Sequence, residues 1–236
     1  MSRPGQLSLD IRLPPHRGPG RFLVGAGNEA AFRQVMAWPD WAAPSLVVHG
    51  PPGCGKTHLA LAWQAKSGAV LGSGDDVPAL LDAVAAAPGT VAVDGIDAVA
   101  GDAERERALF HLFNLTAQNG CHLLMTAAEP PARIAWTLPD LGSRLRAAPL
   151  AGIGPPDDAL LQRLLTKLFE DRQLAVASDV PAFLVPRIER SYAAALAAVE
   201  RFDRESLRRR LSITKHLAGK LFDEGELGPD PENDET

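Results

Sequence analysis

The sequence predicts an α/β fold in which a parallel-sheet core is followed by a small helical module. Short apolar runs alternate with longer amphipathic segments through the first half of the chain, as is typical of parallel strands joined by crossover helices. A Gly-rich turn separates the first apolar run from the first helical segment. Beyond Pro155 the strand patterns stop and helical periodicity continues. With 236 residues, 46% of them hydrophobic, the chain can bury a sizeable core.

The core elements are predicted from apolar runs and their boundaries. Leu46–His49 is a short apolar run that ends in a Gly/Pro loop, which indicates a buried strand. Pro78 is tolerated in the first turn of a helix, and Pro88 with Gly89 stops that helix. The other predicted elements are helices over 57–66, 78–87 and 104–119 and strands over 90–94 and 122–126.

The remaining segments are a helical module and two polar ends. Residues 1–20 contain four prolines and three glycines, which predicts an extended arm. Residues 223–236 carry seven acidic residues and no basic one, a composition typical of disorder. Asp157 and Ser212 are suited to cap helices. The predicted helices of the module span 157–172, 180–187, 191–203 and 212–222, and the predicted divisions are an arm (1–20), a core (21–154), a helical lid (155–222) and an acidic tail (223–236).

Composition excludes several classes of protein. The longest apolar stretches are interrupted well before the ~18 residues that a membrane span needs, so we expect no membrane partner. The N-terminus lacks the apolar core of a secretory signal. Cys54 and Cys121 are too few for a disulfide framework, so we expect a cytoplasmic protein. The net charge of −5 derives from the acidic tail, and the rest of the chain is slightly basic.

The turn after the first strand matches G-x-x-x-x-G-K-[ST] in full, with an apolar strand before it and a helix after it. Glycines in such a loop let backbone N–H groups point at a phosphate, to which the helix N-terminus adds its dipole. Lys56 would neutralise the β- and γ-phosphate oxygens, and the Thr57 hydroxyl would bind Mg²⁺. The motif therefore predicts a P-loop NTPase fold. The loop consists of Gly50, Pro51, Pro52, Gly53, Cys54, Gly55, Lys56 and Thr57.

Polar residues end two further predicted strands. Asp94 follows an apolar run and is placed to bind the Mg²⁺ shell. P-loop enzymes that hydrolyse usually carry a second acid at the next position, where this chain has Gly95, and Asp97 is offset from it. We therefore expect slow hydrolysis by this chain. Thr126 ends the third predicted strand, where a polar side chain can sense the γ-phosphate, although an ordinary strand-end threonine is the alternative.

Several segments together resemble the DnaA-related branch of the AAA+ ATPases over about residues 6–222. The resemblance implies an AAA+ core with a helical lid that binds ADP or ATP with Mg²⁺. It also implies that Phe22 and Val24 pack on the adenine and that His58, which continues the loop motif, belongs to the nucleotide site. The segments that carry the resemblance are Arg21-Phe22-Leu23-Val24-Gly25 with Asn28, Gly55-Lys56-Thr57-His58-Leu59, Thr126-Ala127-Ala128-Glu129-Pro130-Pro131 and Leu138-Pro139-Asp140-Leu141-Gly142-Ser143-Arg144-Leu145.

Two arginines acquire roles through this resemblance. Arg144 matches the arginine finger of the regulators in this branch, a guanidinium that enters the ATP site of a neighbouring DnaA molecule and acts there in trans. From the residues alone, a surface arginine on a short helix is the favoured interpretation. Arg190 matches the lid arginine that reaches the nucleotide phosphates, and a solvated arginine at a helix start is its alternative.

The N-terminal arm supplies a second discriminating match. Gln6, Leu7, Ser8 and Leu9 resemble the peptide by which regulators of this branch bind the DNA polymerase sliding clamp (its beta subunit). An extended arm offers the glutamine for hydrogen bonds and the two leucines for an apolar pocket. Asp10 replaces the aromatic residue or proline that usually follows.

The resemblance implies a negative regulator of replication initiation that binds the sliding clamp and stimulates ATP hydrolysis by DnaA. No DNA-binding helix-turn-helix pattern follows the predicted lid, so we expect weak or indirect DNA contact, and self-association as a dimer stays open. The main alternative is a helicase-loader-like ATPase acting on a replicative helicase and single-stranded DNA. A clamp-bound adaptor without effect on hydrolysis is the third reading.

Overall fold

The protein forms an α/β structure, known from a computed structural model that describes residues 22–209 and 213–223. Its centre is a five-stranded sheet in the order β2-β3-β4-β1-β5, in which every neighbouring pair is parallel. This confirms the predicted α/β P-loop core. The strands are β1 (Ser45–His49), β2 (Val70–Ser73), β3 (Val91–Asp94), β4 (Leu123–Ala127) and β5 (Leu150–Gly152).

The helices begin and end at residues whose local chemistry favours it. Asp102 and Asp157 accept backbone hydrogen bonds at the first turns of α4 and α6. Pro139 opens α5, and Gly68, with a φ of 70°, ends α2. The helices are α1 (Glu29–Met36), α2 (Lys56–Ser67), α3 (Val77–Ala86), α4 (Ala103–Gln118), α5 (Pro139–Ala147), α6 (Asp158–Asp171), α7 (Val180–Leu184), α8 (Tyr192–Arg209) and α9 (Lys215–Asp223).

Helices cover both faces of the sheet. Because successive strand residues point to opposite faces, Val47 packs with residues of α3, α4 and α5, whereas Leu46 and Val48 pack with residues of α1 and α2. All three side chains are buried, as expected for a parallel sheet that is covered on both faces. Because all neighbouring strands are parallel, their carboxyl ends lie at the same edge of the sheet.

The C-terminal helices pack around a third apolar cluster of their own. Leu161, Leu165 and Phe169 of α6 contact residues of the following helices, including Phe202 of α8. A parallel bridge between Val176 and Ile213 joins the loop after α6 to the segment before α9. Within the described ranges, no helix is both long and apolar enough to cross a membrane.

Some predicted boundaries were wrong. Helix α8 runs to Arg209 instead of ending at residue 203. Helix α7 ends at Leu184, three residues early, and α9 begins at Lys215. The proposed cap Ser212, the arm and the tail after Asp223 lie outside the described residues. Two strands and one helix were not predicted at all: β2, β5 and α1.

Candidate nucleotide-binding site

The candidate site lies where the carboxyl ends of β1, β3 and β4 meet, the edge at which parallel α/β sheets bind ligands. The loop from Gly50 to Gly55 leaves β1 and turns into α2. Gly53 and Gly55 have φ angles of 75° and 96°, in the left-handed region that favours glycine. A Cβ atom on Gly55 would lie 3.1 Å from the Phe22 ring. The loop therefore favours glycine at both positions, of which the motif specifies Gly55 and leaves Gly53 open.

Lys56 folds over the loop that it follows. Its Nζ donates to the carbonyls of Gly50 (2.7 Å) and Pro51 (3.0 Å) and lies 3.9 Å from Cys54 Sγ. An anion bound in the loop would meet this ammonium group and the positive end of α2. Burial raises the pKa of the Cys54 thiol, against the opposing effect of Lys56, so the thiol stays protonated near neutral pH.

Thr57, Asp94 and Thr126, three of the predicted site residues, lie in contact with one another through Asp94. Thr57 Oγ1 donates to Asp94 Oδ2 at 2.7 Å, and Thr126 Oγ1 donates to Asp94 Oδ1 at 2.6 Å. Thr126 Oγ1 also accepts a hydrogen bond from Gly95 N at 2.9 Å. The hydroxyl that could sense a γ-phosphate is thus engaged by the carboxylate in this structure.

The oxygen atoms of Thr57 and Asp94 are suited to a hard cation that is bound mainly by nucleotide phosphates. Mg²⁺ prefers oxygen atoms and keeps several waters, with one or two protein oxygens and the phosphates completing its shell. Thr57 and Asp94 offer a hydroxyl and a carboxylate oxygen that already lie side by side. In the described part of the chain, no three His, Cys, Asp or Glu residues form a metal cage. A magnesium ion here would therefore depend on nucleotide phosphates.

The position after Asp94 carries no acid. Gly95 adopts a φ of 75° and leads the chain into a short 3₁₀ turn, Ile96–Val99. Within that turn, Asp97 Oδ1 accepts a hydrogen bond from Ala128 N at 2.8 Å, just after β4. Asp97 therefore stabilises this loop, as expected for an acid placed three residues after Asp94.

His49, the last residue of β1, directly precedes the phosphate loop. Its ring lies close to Gly152, where a Cβ atom would stand 3.1 Å from His49 Nε2. Burial, and then the charges of Arg133 and Lys56, lower the His49 pKa below its usual value. The ring is therefore neutral near pH 7.

The segment predicted to pack on the base is held between α2 and α6. Phe22 stacks on Phe32 with ring centroids 5.5 Å apart. The Val24 carbonyl accepts a hydrogen bond from Arg163 Nη1 (2.9 Å), and Ala26 N donates to Asp157 (3.1 Å). Phe22 thus reaches the loop, while the Val24 backbone is anchored to α6. His58 is a half-buried residue in the first turn of α2.

Helix α8 covers the loop from the other side, which the sequence did not reveal. Leu196 packs so closely on Gly53 that a Cβ atom there would lie 2.6 Å from its Cδ1. Tyr192 is buried, and burial raises its pKa to about 12. It lines a cavity of about 170 Å³ together with Pro51 and Pro52. These contacts depend on packing between distant segments, so no local pattern could indicate them.

The two predicted arginines lie in different surroundings. Arg190 lies two residues before α8 and forms an ion pair with Asp158 at 2.9 Å, and both side chains are largely exposed. Arg144 is exposed on α5, with its guanidinium 5.4 Å from the centroid of the Phe110 ring. No carboxylate pairs with Arg144 among the residues that the structure describes. The predicted clamp-binding residues Gln6, Leu7, Ser8 and Leu9 lie outside them.

Comparison with known proteins identifies the fold. No protein-family model matches the sequence. Domain III of the Thermotoga maritima replication initiation protein DnaA has a similar structure, with a TM-score of 0.72 and 18% identity over 92% of this chain and 99% of that domain. A structure of DnaA bound to AMPPCP and single-stranded DNA gives 0.63 and 18% over 84% of this chain and 69% of that one. AMPPCP-bound DnaA from Aquifex aeolicus gives 0.58 and 17%, over 79% and 64%. The chain therefore has the α/β P-loop fold of the AAA+ domain of DnaA.

Proposed function

We propose that the protein is a nucleotide-binding regulator of replication initiation that stimulates the hydrolysis of ATP by DnaA. Within the DnaA-related branch it most resembles Hda, the regulatory inactivator of DnaA. The observation that carries the proposal is Arg144, an exposed guanidinium without a carboxylate partner among the described residues. It stands in the segment that resembles the Hda arginine finger, on a fold shared with DnaA.

The protein's own loop would hold ADP or ATP with Mg²⁺. The left-handed glycines, Lys56 and the paired oxygens of Thr57 and Asp94 support this. Two solved DnaA structures of this fold are bound to AMPPCP. Arg190 would reach the phosphates after leaving Asp158. Gly95 provides no carboxylate to polarise a water, so the bound nucleotide turns over slowly.

Arg144 would act in the ATP site of a neighbouring DnaA molecule. A guanidinium placed at the γ-phosphoryl oxygens stabilises the charge that develops there, an effect worth ~10³–10⁵ in rate in related systems. The protein thus completes a partner's active site, and DnaA is left in its ADP form. The proposal also includes docking of Gln6–Leu9 on the sliding clamp, self-association as a dimer, and weak or indirect contact with DNA.

The test is the fate of labelled ATP bound to DnaA. Intact protein added with clamp loaded on DNA should accelerate hydrolysis, and Arg144→Ala should remove the acceleration. Arg146→Ala is the matched control, because Arg146 is another exposed arginine on α5 and should retain it. No acceleration by the intact protein would overturn the proposal. Loss of the acceleration in both variants would show that Arg144 has no specific role. Stimulated loading of a replicative helicase without any effect on DnaA would favour the loader alternative.

A further inference from the structure

Helix α4 carries a fully buried carboxylate that the nucleotide site does not use. Glu106 is 0% exposed. A buried charge is costly unless hydrogen bonds replace its water shell. Its surroundings therefore indicate what the residue holds in place.

Three backbone N–H groups from two distant segments surround this carboxylate. Oε1 accepts from Gly101 N and from Thr137 N, each at 2.9 Å, and Oε2 accepts from Leu138 N at 2.6 Å. Gly101 ends the loop that leaves Asp94, whereas Thr137 and Leu138 lie directly before α5. Glu106 thus joins the loop just before α4 to the start of the helix that carries Arg144.

The carboxylate also caps α5. Leu138 stands at the N-cap position, and its own side chain makes no capping hydrogen bond. A carboxylate at a helix N-terminus satisfies free N–H groups and favours the helix dipole. Although burial opposes ionisation, the hydrogen bonds from Thr137, Leu138 and Gly101 prevail and lower the pKa of Glu106 below its usual value.

A second residue, one turn further along α4, contacts Arg144 itself. Residues four apart lie on the same side of a helix, and Phe110 places its ring under the Arg144 guanidinium, 5.4 Å from centroid to Cζ. Between these contacts, Leu141 and Leu145 bury the inner face of α5 in the core cluster shared with α4. Glu106 thus holds the start of α5, and Phe110 supports the charged group near its end.

We propose that Glu106 and Phe110 are positioning residues that set the direction and reach of Arg144. The inference rests on the proposed function, because it assumes that Arg144 acts in a partner's ATP site. A misplacement of about 1 Å at a reacting centre can cost ~10²-fold in rate. A helix released at its start would move Arg144 on that scale.

The experiment compares Glu106→Gln and Phe110→Leu with the intact protein in the DnaA hydrolysis assay. We expect Glu106→Gln to lower the maximal stimulated rate by ~10-fold or more. Phe110→Leu should lower it ~2–5-fold, the value of an exposed cation–π contact. The concentration for half-maximal stimulation should stay the same, because docking is intact. An unchanged maximal rate in both variants would overturn the proposal.

Thr116→Ala is the matched control. Thr116 is also buried on α4, but its hydroxyl donates only to the α4 carbonyls of Leu112 and Phe113. It should lower the melting temperature without lowering the maximal rate. An equal loss of rate in Thr116→Ala and Glu106→Gln would show that general destabilisation is responsible and would overturn the proposal.

A readout without DnaA separates this inference from the proposed function. In hydrogen exchange, the amides of 137–147 should exchange faster in Glu106→Gln than in the intact protein, while those of β1 and β4 stay protected. Unchanged exchange over 137–147 would overturn the inference. If the intact protein fails to stimulate DnaA, the proposed function falls and Arg144 has no reaction to be positioned for, even where exchange shows that Glu106 holds α5.

Discussion

Among single residues, Asp94 has the most constrained surroundings in the candidate site. Both of its carboxylate oxygens accept hydroxyl hydrogen bonds, one from Thr57 and one from Thr126. Its orientation is therefore fixed before any ligand binds. A magnesium ion that took the Thr57 oxygen would replace one of these hydrogen bonds and leave the other to hold the carboxylate. Thr126 would then act by orienting Asp94 as well as by facing the nucleotide.

Gly95 permits a prediction about backbone strain. A Cβ atom there would meet nothing within 4 Å, so the φ of 75° is the only obstacle to a side chain. Gly95→Ala should lower the free energy of unfolding by ~1–2 kcal/mol. Gly95→Asn should cost less, because asparagine tolerates this conformation. Urea denaturation measures both.

The control for Gly95 is Gly89. It has no positive φ, and a Cβ atom there would be 3.8 Å from the Ala87 carbonyl. Gly89→Ala should therefore leave the unfolding free energy unchanged or slightly higher. If Gly95→Ala proved as harmless as Gly89→Ala, the strain argument would be wrong.

Single residues differed in how far the sequence could indicate them. Lys56, Thr57 and Asp94 follow from a contiguous motif and from an acid at a strand end, and the structure brings Thr57 and Asp94 into contact. Glu106 and Tyr192 carry no such pattern. Their environments arise only when α4 meets α5 and when α8 meets the phosphate loop. When the role of a side chain depends on long-range packing, no local pattern of residues in the sequence indicates it.

At the scale of elements, the hold of α4 on α5 should depend on pH. The pKa of Glu106 is lowered in the folded protein, so its ionised form stabilises the fold. This contribution is fully present above the pKa of an unfolded glutamate, about 4.3, and is lost as pH falls through the lower folded pKa. Glu106→Gln should remove it at every pH.

The measurement is urea denaturation of the intact protein and of Glu106→Gln between pH 7 and pH 3. We expect the difference in unfolding free energy between them to be largest near neutral pH and to shrink below about pH 4. Other carboxylates titrate in both proteins, so the difference isolates Glu106. A difference that stayed constant to pH 3 would show that the carboxylate is not held as an ion.

The cap of α6 has a second task that yields another prediction. Asp157 accepts the N–H groups of Leu160 at 2.6 Å and of Ala26 at 3.1 Å, so it joins α6 to the segment predicted to pack on the adenine. Asp157→Ala should cost ~1 kcal/mol as a lost cap and should also weaken nucleotide binding. Calorimetric titration with MgADP measures the second effect.

Asp102 offers the matched comparison. It caps α4 through Glu104 N and Arg105 N. Asp102→Ala should cost a similar amount of stability without weakening nucleotide binding. Equal nucleotide affinity in the Asp157→Ala and Asp102→Ala variants would contradict the role given to the Ala26 contact.

Strands were predicted correctly where burial on both faces produces a run of apolar residues in the sequence. The inner strands β1, β3 and β4 are buried apolar runs, and each lies within one residue of its predicted position. The missed strands β2 and β5 are the two edges of the sheet, four and three residues long, and each contains a glycine. These segments are strands because they pair with β3 and β1, and such pairing is not visible in the sequence.

At the scale of the whole molecule, the C-terminal helices are joined to the core around the candidate site. Arg163 of α6 holds the Val24 carbonyl, and Leu196 of α8 covers Gly53. A nucleotide in the loop would therefore contact structure that depends on both parts of the chain. Binding to such a site stabilises the fold by about 2.7 kcal/mol at a ligand concentration 100 times Kd. Both parts should then be stabilised together.

The proposed clamp contact should be separable from this folded unit. Leu7 and Leu9 lie outside the described residues, which begin at Phe22. The double variant Leu7→Ala and Leu9→Ala should lose binding to the sliding clamp, because it removes the apolar anchors. Its nucleotide affinity and melting temperature should match those of the intact protein. Surface plasmon resonance on immobilised clamp measures the loss.

The same variant distinguishes tethering from catalysis. If the clamp serves to raise the local concentration of Arg144 near DnaA, stimulation should vanish at low protein concentration and return at high concentration, since a short tether is equivalent to a concentration of about 1 mM. Arg144→Ala should stay inactive at any concentration. Pro14→Ala with Pro15→Ala, in the same arm but outside the motif, should leave clamp binding unchanged. Failure to recover at high concentration would mean that the clamp does more than recruit the protein.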